Sequence, residues 1–245
     1  MTAVKEAAAF SHVQLKGMHC HIGSQIFDTA PFVEAAKVMM KFLADIKQET
    51  GLELKELNLG GGFGIQYTAE DKPAPYEAYM KPVADAVKEA AASYGLPVPY
   101  IYIEPGRSIV GAAGVTLYTV GGIKEIPNIR TYVSVDGGMT DNPRYALYQS
   151  RYEMLIANKA AQEKTTHVTV AGKCCESGDL LGENIPLQPA EPGDILAVLS
   201  TGAYNYSMSS NYNRIAKPAV LMVSEQEERI IVKRETPEDI VRNDV

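Results

Sequence analysis

Tyr100-Ile101-Tyr102-Ile103-Glu104-Pro105-Gly106-Arg107 is the stretch on which the fold turns. A short apolar run reads as a buried strand, and it ends in a carboxylate, a Pro-Gly turn and a guanidinium. Two earlier stretches end the same way, in chemistry-bearing residues after a short strand. They are Gly17-Met18-His19-Cys20-His21-Ile22-Gly23-Ser24 and Leu57-Asn58-Leu59-Gly60-Gly61-Gly62-Phe63-Gly64. The three tips, at His21, Gly60 and Glu104, recur at roughly forty residues, the repeat expected of consecutive β/α units.

Between the tips lie two amphipathic segments, Phe32 to Thr50 and Pro75 to Tyr94, each followed by a glycine that suits a helix C-cap (Gly51, Gly95). Strands over His12 to His21, Leu52 to Leu59 and Val98 to Ile103 alternate with them. This order predicts parallel strands joined by right-handed crossovers, with the loaded segments at the carboxyl ends, where such folds place their sites. Met1 to Ser11 reads as an alanine-rich helix without an N-cap in front of it.

After Arg107 the pattern changes. Val115 to Ile126, Ile129 to Val135, His167 to Ala171, Asp194 to Leu199, Ala219 to Val223 and Arg229 to Lys233 read as short strands. Gly121-Gly122 and Pro127-Asn128 read as breaks, and only Ser150 to Lys164 looks helical. The expected organisation is a β/α part over 1–110, a mostly antiparallel β domain over 111–233 and a charged tail over 234–245. Three β/α units do not close a barrel, which needs eight strands. The uncapped first helix favours a chain that starts within one, with strand edges open to association.

Bulk properties exclude other classes. A net charge of -7 without a basic run argues against a nucleic-acid partner. No apolar run reaches the roughly 18 residues needed to span a bilayer, and the first ten residues lack the order of a signal peptide. Three cysteines, two of them adjacent, make a poor disulfide framework and fit a reducing cytoplasm.

The tips allow more than one reading. Gly60-Gly61-Gly62 suits a tight strand-to-helix turn as well as an anion cradle. His19 and His21, two apart on a strand, share a face, yet His12 and His167 stand at no strand end that completes a metal site, so no metal is expected. Ser24, the Gly60 to Gly62 amides, Gly106 and Arg107 together suit one phosphate group. Glu104, after an apolar strand, is expected to be partly desolvated. It serves either as a surface partner of Arg107 or as the carboxylate of a heterocyclic nitrogen. Phosphate donors, a histidine facing a ring and such a carboxylate describe pyridoxal phosphate.

These motifs, His21-Ile-Gly-Ser-Gln25, Gly60-Gly-Gly-Phe-Gly64 and Glu104-Pro-Gly-Arg107, resemble the alanine-racemase-like (fold type III) pyridoxal-phosphate decarboxylases. Asp136-Gly-Gly-Met-Thr-Asp141, Arg144-Tyr-Ala-Leu-Tyr148, Cys175-Glu-Ser-Gly-Asp179 and the run Gly202 to Asn213 resemble the diaminopimelate decarboxylase branch of that family. The resemblance implies the carboxyl-terminal part of a (β/α)8 barrel followed by an antiparallel β-barrel or sandwich. It implies pyridoxal 5'-phosphate as cofactor, meso-2,6-diaminopimelate as substrate, and a homodimer with sites at the subunit interface.

By the same resemblance His21 stacks on the pyridine ring and Glu104 pairs with its nitrogen. Ser24, Gly60, Gly61, Gly62, Gly106, Arg107 and Tyr204 hold the phosphate. Arg144 and Tyr148, with Tyr204, contact the substrate, and Glu176 reads its distal amino group. Cys175 returns the proton after carbon dioxide leaves. The family's Schiff-base lysine stands in a motif that this sequence does not contain, so the chain by itself is expected to be inactive. Where the family often shows Arg-Pro, this chain has Pro143-Arg144. Rival readings are a related decarboxylase of ornithine, arginine or carboxynorspermidine, and a non-catalytic homologue that binds a partner.

Overall fold

The computed structural model describes Met1 to Val245. The chain forms two compact units, one of Met1–Gln66 with Glu70–Ile109 and one of Tyr67–Ala69 with Val110–Val245.

In the first unit, helix α1 (Thr2–Ala9) begins without a side-chain cap and is followed by strand β1 (Gly17–His19), helix α2 (Ala30–Thr50), β2 (Glu56–Asn58), α3 (Tyr76–Tyr94) and β3 (Tyr100–Tyr102). Helix α2 buries Phe32, Ala36, Met39, Met40, Leu43 and Ile46, an apolar stripe at helical spacing. Gly51 and Gly95 close the two long helices in the left-handed region, φ 74° and 63°, which glycine enters without a Cβ penalty. The strands pair parallel in the order β1-β2-β3, with Met18, Leu57 and Ile101 in register. Leu57 and Leu59 join the helix stripes in one core, where Phe32 stacks on Phe63 and Tyr79 meets both edge-on. The strands are shorter than the sequence suggests. Each stops two residues before its expected tip, so His21, Gly60 and Glu104 follow the strand ends, with the Glu104 N–H still donating to the Gly60 carbonyl at 2.8 Å. Tyr100 (72% exposed) and Tyr102 (47%) are exposed on β3, one of the two outer strands.

A short helix α4 (Arg107–Val110) leads into the second unit. There β4 (Val115–Ile126), β5 (Arg130–Val135), a one-turn helix α5 (Arg144–Tyr148), β6 (Met154–Ile156), β7 (Thr166–Ala171), β8 (Leu180–Leu187) and β9 (Ile195–Leu199) build one sheet in the order β6-β9-β4-β5-β7-β8. All its pairings are antiparallel except β5 with β7. The end strands approach each other: the Ile156 N–H donates to Gln188 Oε1 at 2.9 Å, and a Cβ on Gly182 would lie 3.4 Å from Met154 Cε. The sheet is therefore nearly closed around Val133, Met154, Ile156, Val170, Leu181, Leu187, Leu196 and Val198.

Several expectations are corrected here. Ser150 to Lys164 is not an α-helix: it carries β6 and a single 3-10 turn, because Met154 and Ile156 pair with β9 and their burial outweighs helical propensity. Gly121-Gly122 does not end β4 but sits in a bulge of it, between Val120 and Ile123. Strand β8, absent from the reading, carries Asn184 at φ 53° and Pro186, residues that disguise a strand.

Beyond β9 come α6 (Asn205–Met208), a hairpin of β10 (Val220–Val223) and β11 (Glu228–Val232), and α7 (Pro237–Val241) within the expected tail. Thr236 and Asp239 form a capping box that starts α7. No helix is long and apolar enough to cross a membrane.

Candidate functional site

In the first unit the three tips are pressed against one another. A Cβ on Gly60 would lie 2.7 Å from the Cys20 carbonyl oxygen and 2.8 Å from His21 Nδ1; one on Gly61 would strike the Glu104 carbonyl, and one on Gly62 the Gly23 carbonyl. The triple glycine is thus required by packing. Two of its amides are already engaged: Gly60 N–H donates to Asn58 Oδ1 at 2.9 Å and Gly61 N–H to His21 Nδ1 at 3.4 Å. That leaves the Gly62 amide for a ligand.

Gln25 fastens the first tip to the segment after the second, donating to the Ile65 carbonyl at 2.7 Å and accepting its N–H at 3.1 Å. Arg107, itself buried, donates through Nη2 to Ser24 Oγ at 2.7 Å, so the predicted phosphate cation and hydroxyl do meet. Gly106, with no atom within 4 Å of a built Cβ, sits beside them in open space.

Glu104 departs from expectation. It is not desolvated, since its side chain is 57% exposed, and its neighbour is not Arg107. Asn58 Nδ2 donates to its Oε1 at 2.7 Å, and His19 Nε2 lies 3.7 Å from its Oε2. Asn58 therefore serves two tips at once, and the sequence reading missed it. Its signal was a lone amide between Leu57 and Leu59, at the end of an apolar strand. His21, exposed beyond the end of β1, has its own partner at Gly61, so strand alternation does not put it with His19.

In the second unit Arg144 is not a solvated loop charge: it is 8% exposed. Its guanidinium carbon lies 5.2 Å from the Tyr204 ring centre, 5.7 Å from Tyr148 and 6.0 Å from Tyr67. Such contacts favour a cation over an aromatic face. Its Nη2 reaches Ser150 Oγ at 3.3 Å, and its Nε has no protein partner. Tyr67, also missed, meets Tyr152 edge-on at 5.1 Å. Tyr204 holds a left-handed backbone, φ 73°, which a non-glycine residue adopts only where its surroundings impose it.

The adjacent thiols have different surroundings. Cys175 and Glu176 are exposed, with the Cys175 N–H on Asn213 Oδ1 at 2.8 Å and Tyr212 Oη 3.4 Å from Glu176 Oε2. Cys174 is half-buried, and burial, followed by the charge of Asp179, pushes its thiol up to about 11. The structure thus joins the Cys175-Glu-Ser-Gly-Asp179 loop to the end of the Gly202 to Asn213 run, and Arg144 to Tyr148 and Tyr204.

Three parallel strand ends thus bring Arg107 to Ser24 and Asn58 to Glu104. Residues 1–111 match the model of the pyridoxal-dependent decarboxylase, pyridoxal binding domain. Over nearly its whole length the chain is similar to diaminopimelate decarboxylases: that of Bacillus subtilis (strain 168) is 54% identical over 243 residues, 99% of this chain and 55% of the relative. A crystal structure of diaminopimelate decarboxylase from M. jannaschii in complex with L-lysine superposes with a TM-score of 0.88 at 36% identity, over 100% of this chain and 55% of that one. A lysine/ornithine decarboxylase from Vibrio vulnificus, bound to cadaverine, reaches 0.73 at 25% identity over 87% of this chain and 55% of that one. The chain spans about half the length of the curated relatives it matches.

Proposed function

We propose that these residues serve a pyridoxal-phosphate-dependent carboxy-lyase that converts meso-2,6-diaminopimelate to L-lysine and carbon dioxide, the last step of lysine biosynthesis, in the cytoplasm. In this reading residues 1–110 belong to a (β/α)8 barrel, 111–233 form an antiparallel β-barrel or sandwich, and 234–245 are a tail. The observation that carries it is the meeting of Arg107 with Ser24 beside the Asn58–Glu104 pair, at the carboxyl ends of three parallel strands.

The tip fits the cofactor. A buried arginine already joined to a hydroxyl is a preset phosphate clamp, and the glycines keep side chains off the turn that faces it. Ser24, the Gly62 amide, Gly106 and Arg107 would hold the phosphate, with Gly60 and Gly61 shaping the turn beside it and Tyr204 as a further phosphate contact. His21 would serve the ring, and Glu104, oriented by Asn58, would hold the proton on the ring nitrogen. Bound there, pyridoxal phosphate supplies the electron sink that decarboxylation needs. An arginine in place of Glu104 would leave that nitrogen unprotonated and suit racemisation better.

Arg144, fixed among tyrosine rings, and Tyr148 bind the substrate carboxylate. Glu176 reads the distal ammonium group, and Cys175 gives its thiol proton to the α-carbon. The exposure of Cys175 and Glu176 supports their presentation to the site of a second subunit, and so a homodimer with interface sites.

The test joins this chain to the preceding barrel segment of a relative and supplies cofactor with meso-diaminopimelate or ornithine. Lysine release from the first with little turnover of the second is expected. Preference for ornithine, or cofactor-independent turnover, would overturn the reading.

A further inference from the structure

Asp179 closes the loop that carries the two thiols, and it is 3% exposed. Its Oδ1 accepts the Met139 N–H at 2.6 Å and its Oδ2 accepts the Cys174 N–H at 2.6 Å. The Gly172 N–H donates to its backbone carbonyl at 2.8 Å. A buried carboxylate filled by backbone amides on both oxygens is an anchor between two chain segments, since losing either amide leaves a desolvated charge short of a donor. The segments have been thinned to admit it. A Cβ on Gly138 would lie 2.5 Å from Oδ1, and one on Gly172 would run into the carboxyl group. Two glycines, one in the Asp136 to Asp141 run and one just after β7, therefore answer to this one side chain.

The anchor has a consequence for the thiols. By holding the Cys174 amide, Asp179 turns Cys174 toward the interior, where its thiol stays protonated. Cys175, next in the chain, is then exposed, with its own N–H fixed by Asn213, a residue at φ 54°. We propose that Asp179 is the positioning residue of the Cys174–Cys175 turn, selecting which of the two adjacent thiols is presented and holding Cys175 Sγ in place. This deepens the reading of Cys175 as proton donor and rests on it.

The test is alkylation by iodoacetamide at mildly alkaline pH, followed at each cysteine by peptide mass mapping. In the parent chain Cys175 should react at least about tenfold faster than Cys174, because reactivity follows thiolate fraction and exposure. Asp179→Asn keeps the size of the side chain but turns one acceptor into a donor facing an N–H. It should bring the two rates together. Should that variant fail to fold, Asn213→Ala loosens the same turn from its exposed side and should lower the Cys175 preference by severalfold in a folded chain.

Equal reactivity of the two thiols in the parent, or an unchanged preference in the folded variants, would overturn the proposal. Labelling requires no turnover, so the two readings separate. If Cys175→Ser leaves decarboxylation by the completed chain intact while Asp179→Asn equalises labelling, the proton donor is wrong and the anchor stands. The reverse pattern removes the anchor alone.

Discussion

The strand tips of the first unit and the thiol loop of the second hold their functional groups by opposite means. At the tips, main chain presses on main chain: Gly60, Gly61 and Gly62 touch the Cys20, Glu104 and Gly23 carbonyls, and the groups proposed to act, His21 and Glu104, remain exposed. In the second unit, buried side chains do the holding, with Asp141, Asp179 and Arg144 all at or below 9% exposure, while Cys175 and Glu176 project outward. The contrast teaches where substitutions separate chemistry from folding. An exposed group on a packed tip can change without cost to the fold, whereas the glycine beneath it cannot.

The largest effect should come from that exposed chemistry. Glu104→Gln keeps a partner for Asn58 and alters a side chain that is 57% exposed, so the melting temperature should scarcely move. Decarboxylation by the completed enzyme should nevertheless fall on the order of 10²- to 10⁴-fold, the range of a lost proton-holding group. A drop in stability that matches the drop in activity would dissolve the distinction between tip chemistry and tip packing.

Next in size is the packing itself. Gly62 sits at φ 101°, and a Cβ there would meet the Gly23 carbonyl oxygen. Gly62→Ala should destabilise by about 3 kcal/mol or more, overpacking and backbone strain acting together. Gly51→Ala is the control: φ is 74° but nothing lies within 4 Å, so only the strain remains, on the order of 1 kcal/mol. Urea unfolding of both reads the difference, and equal losses would show that close approach is not what the tip requires.

The same contrast explains what could be read from the sequence. The tips were legible because each is one contiguous motif. Periodicity placed α2 and α3, and Gly51 and Gly95 marked their ends. The anchors were not legible, since each works through residues distant in the chain. Asp179 answers to Met139 and Cys174, Arg144 to Tyr67 and Tyr204, and Asn58 to Glu104. Apart from the place of Asn58 between two leucines, nothing local distinguishes such an Asp or Asn from a turn residue. The misread helix over Ser150 to Lys164 has the same cause: Met154 and Ile156 look helical until β9 is there to pair with them.

The smallest predicted effect tests the buried arrangement through pH. The Tyr118 hydroxyl donates to Asp141 Oδ2, and the Gly138 N–H donates to Oδ1 at 3.0 Å. Burial raises the Asp141 carboxyl above its ordinary value, while the Tyr118 hydroxyl opposes the rise by favouring the ionised form. A folded acid with a raised pKa keeps its proton longer than the unfolded chain does. Its contribution to stability is therefore greatest below the unfolded value, ~3.9, and falls as pH climbs toward the folded one. Tyr118→Phe removes the opposing donor, so the folded value rises further and the decline runs to higher pH. The variant should differ little from the parent in strong acid and lose about 1 to 3 kcal/mol near neutrality, where an ionised buried carboxylate lacks a donor. Urea unfolding at both pH values measures this, and a gap that stays constant with pH would mean that Tyr118 supports the site by packing rather than through its hydroxyl.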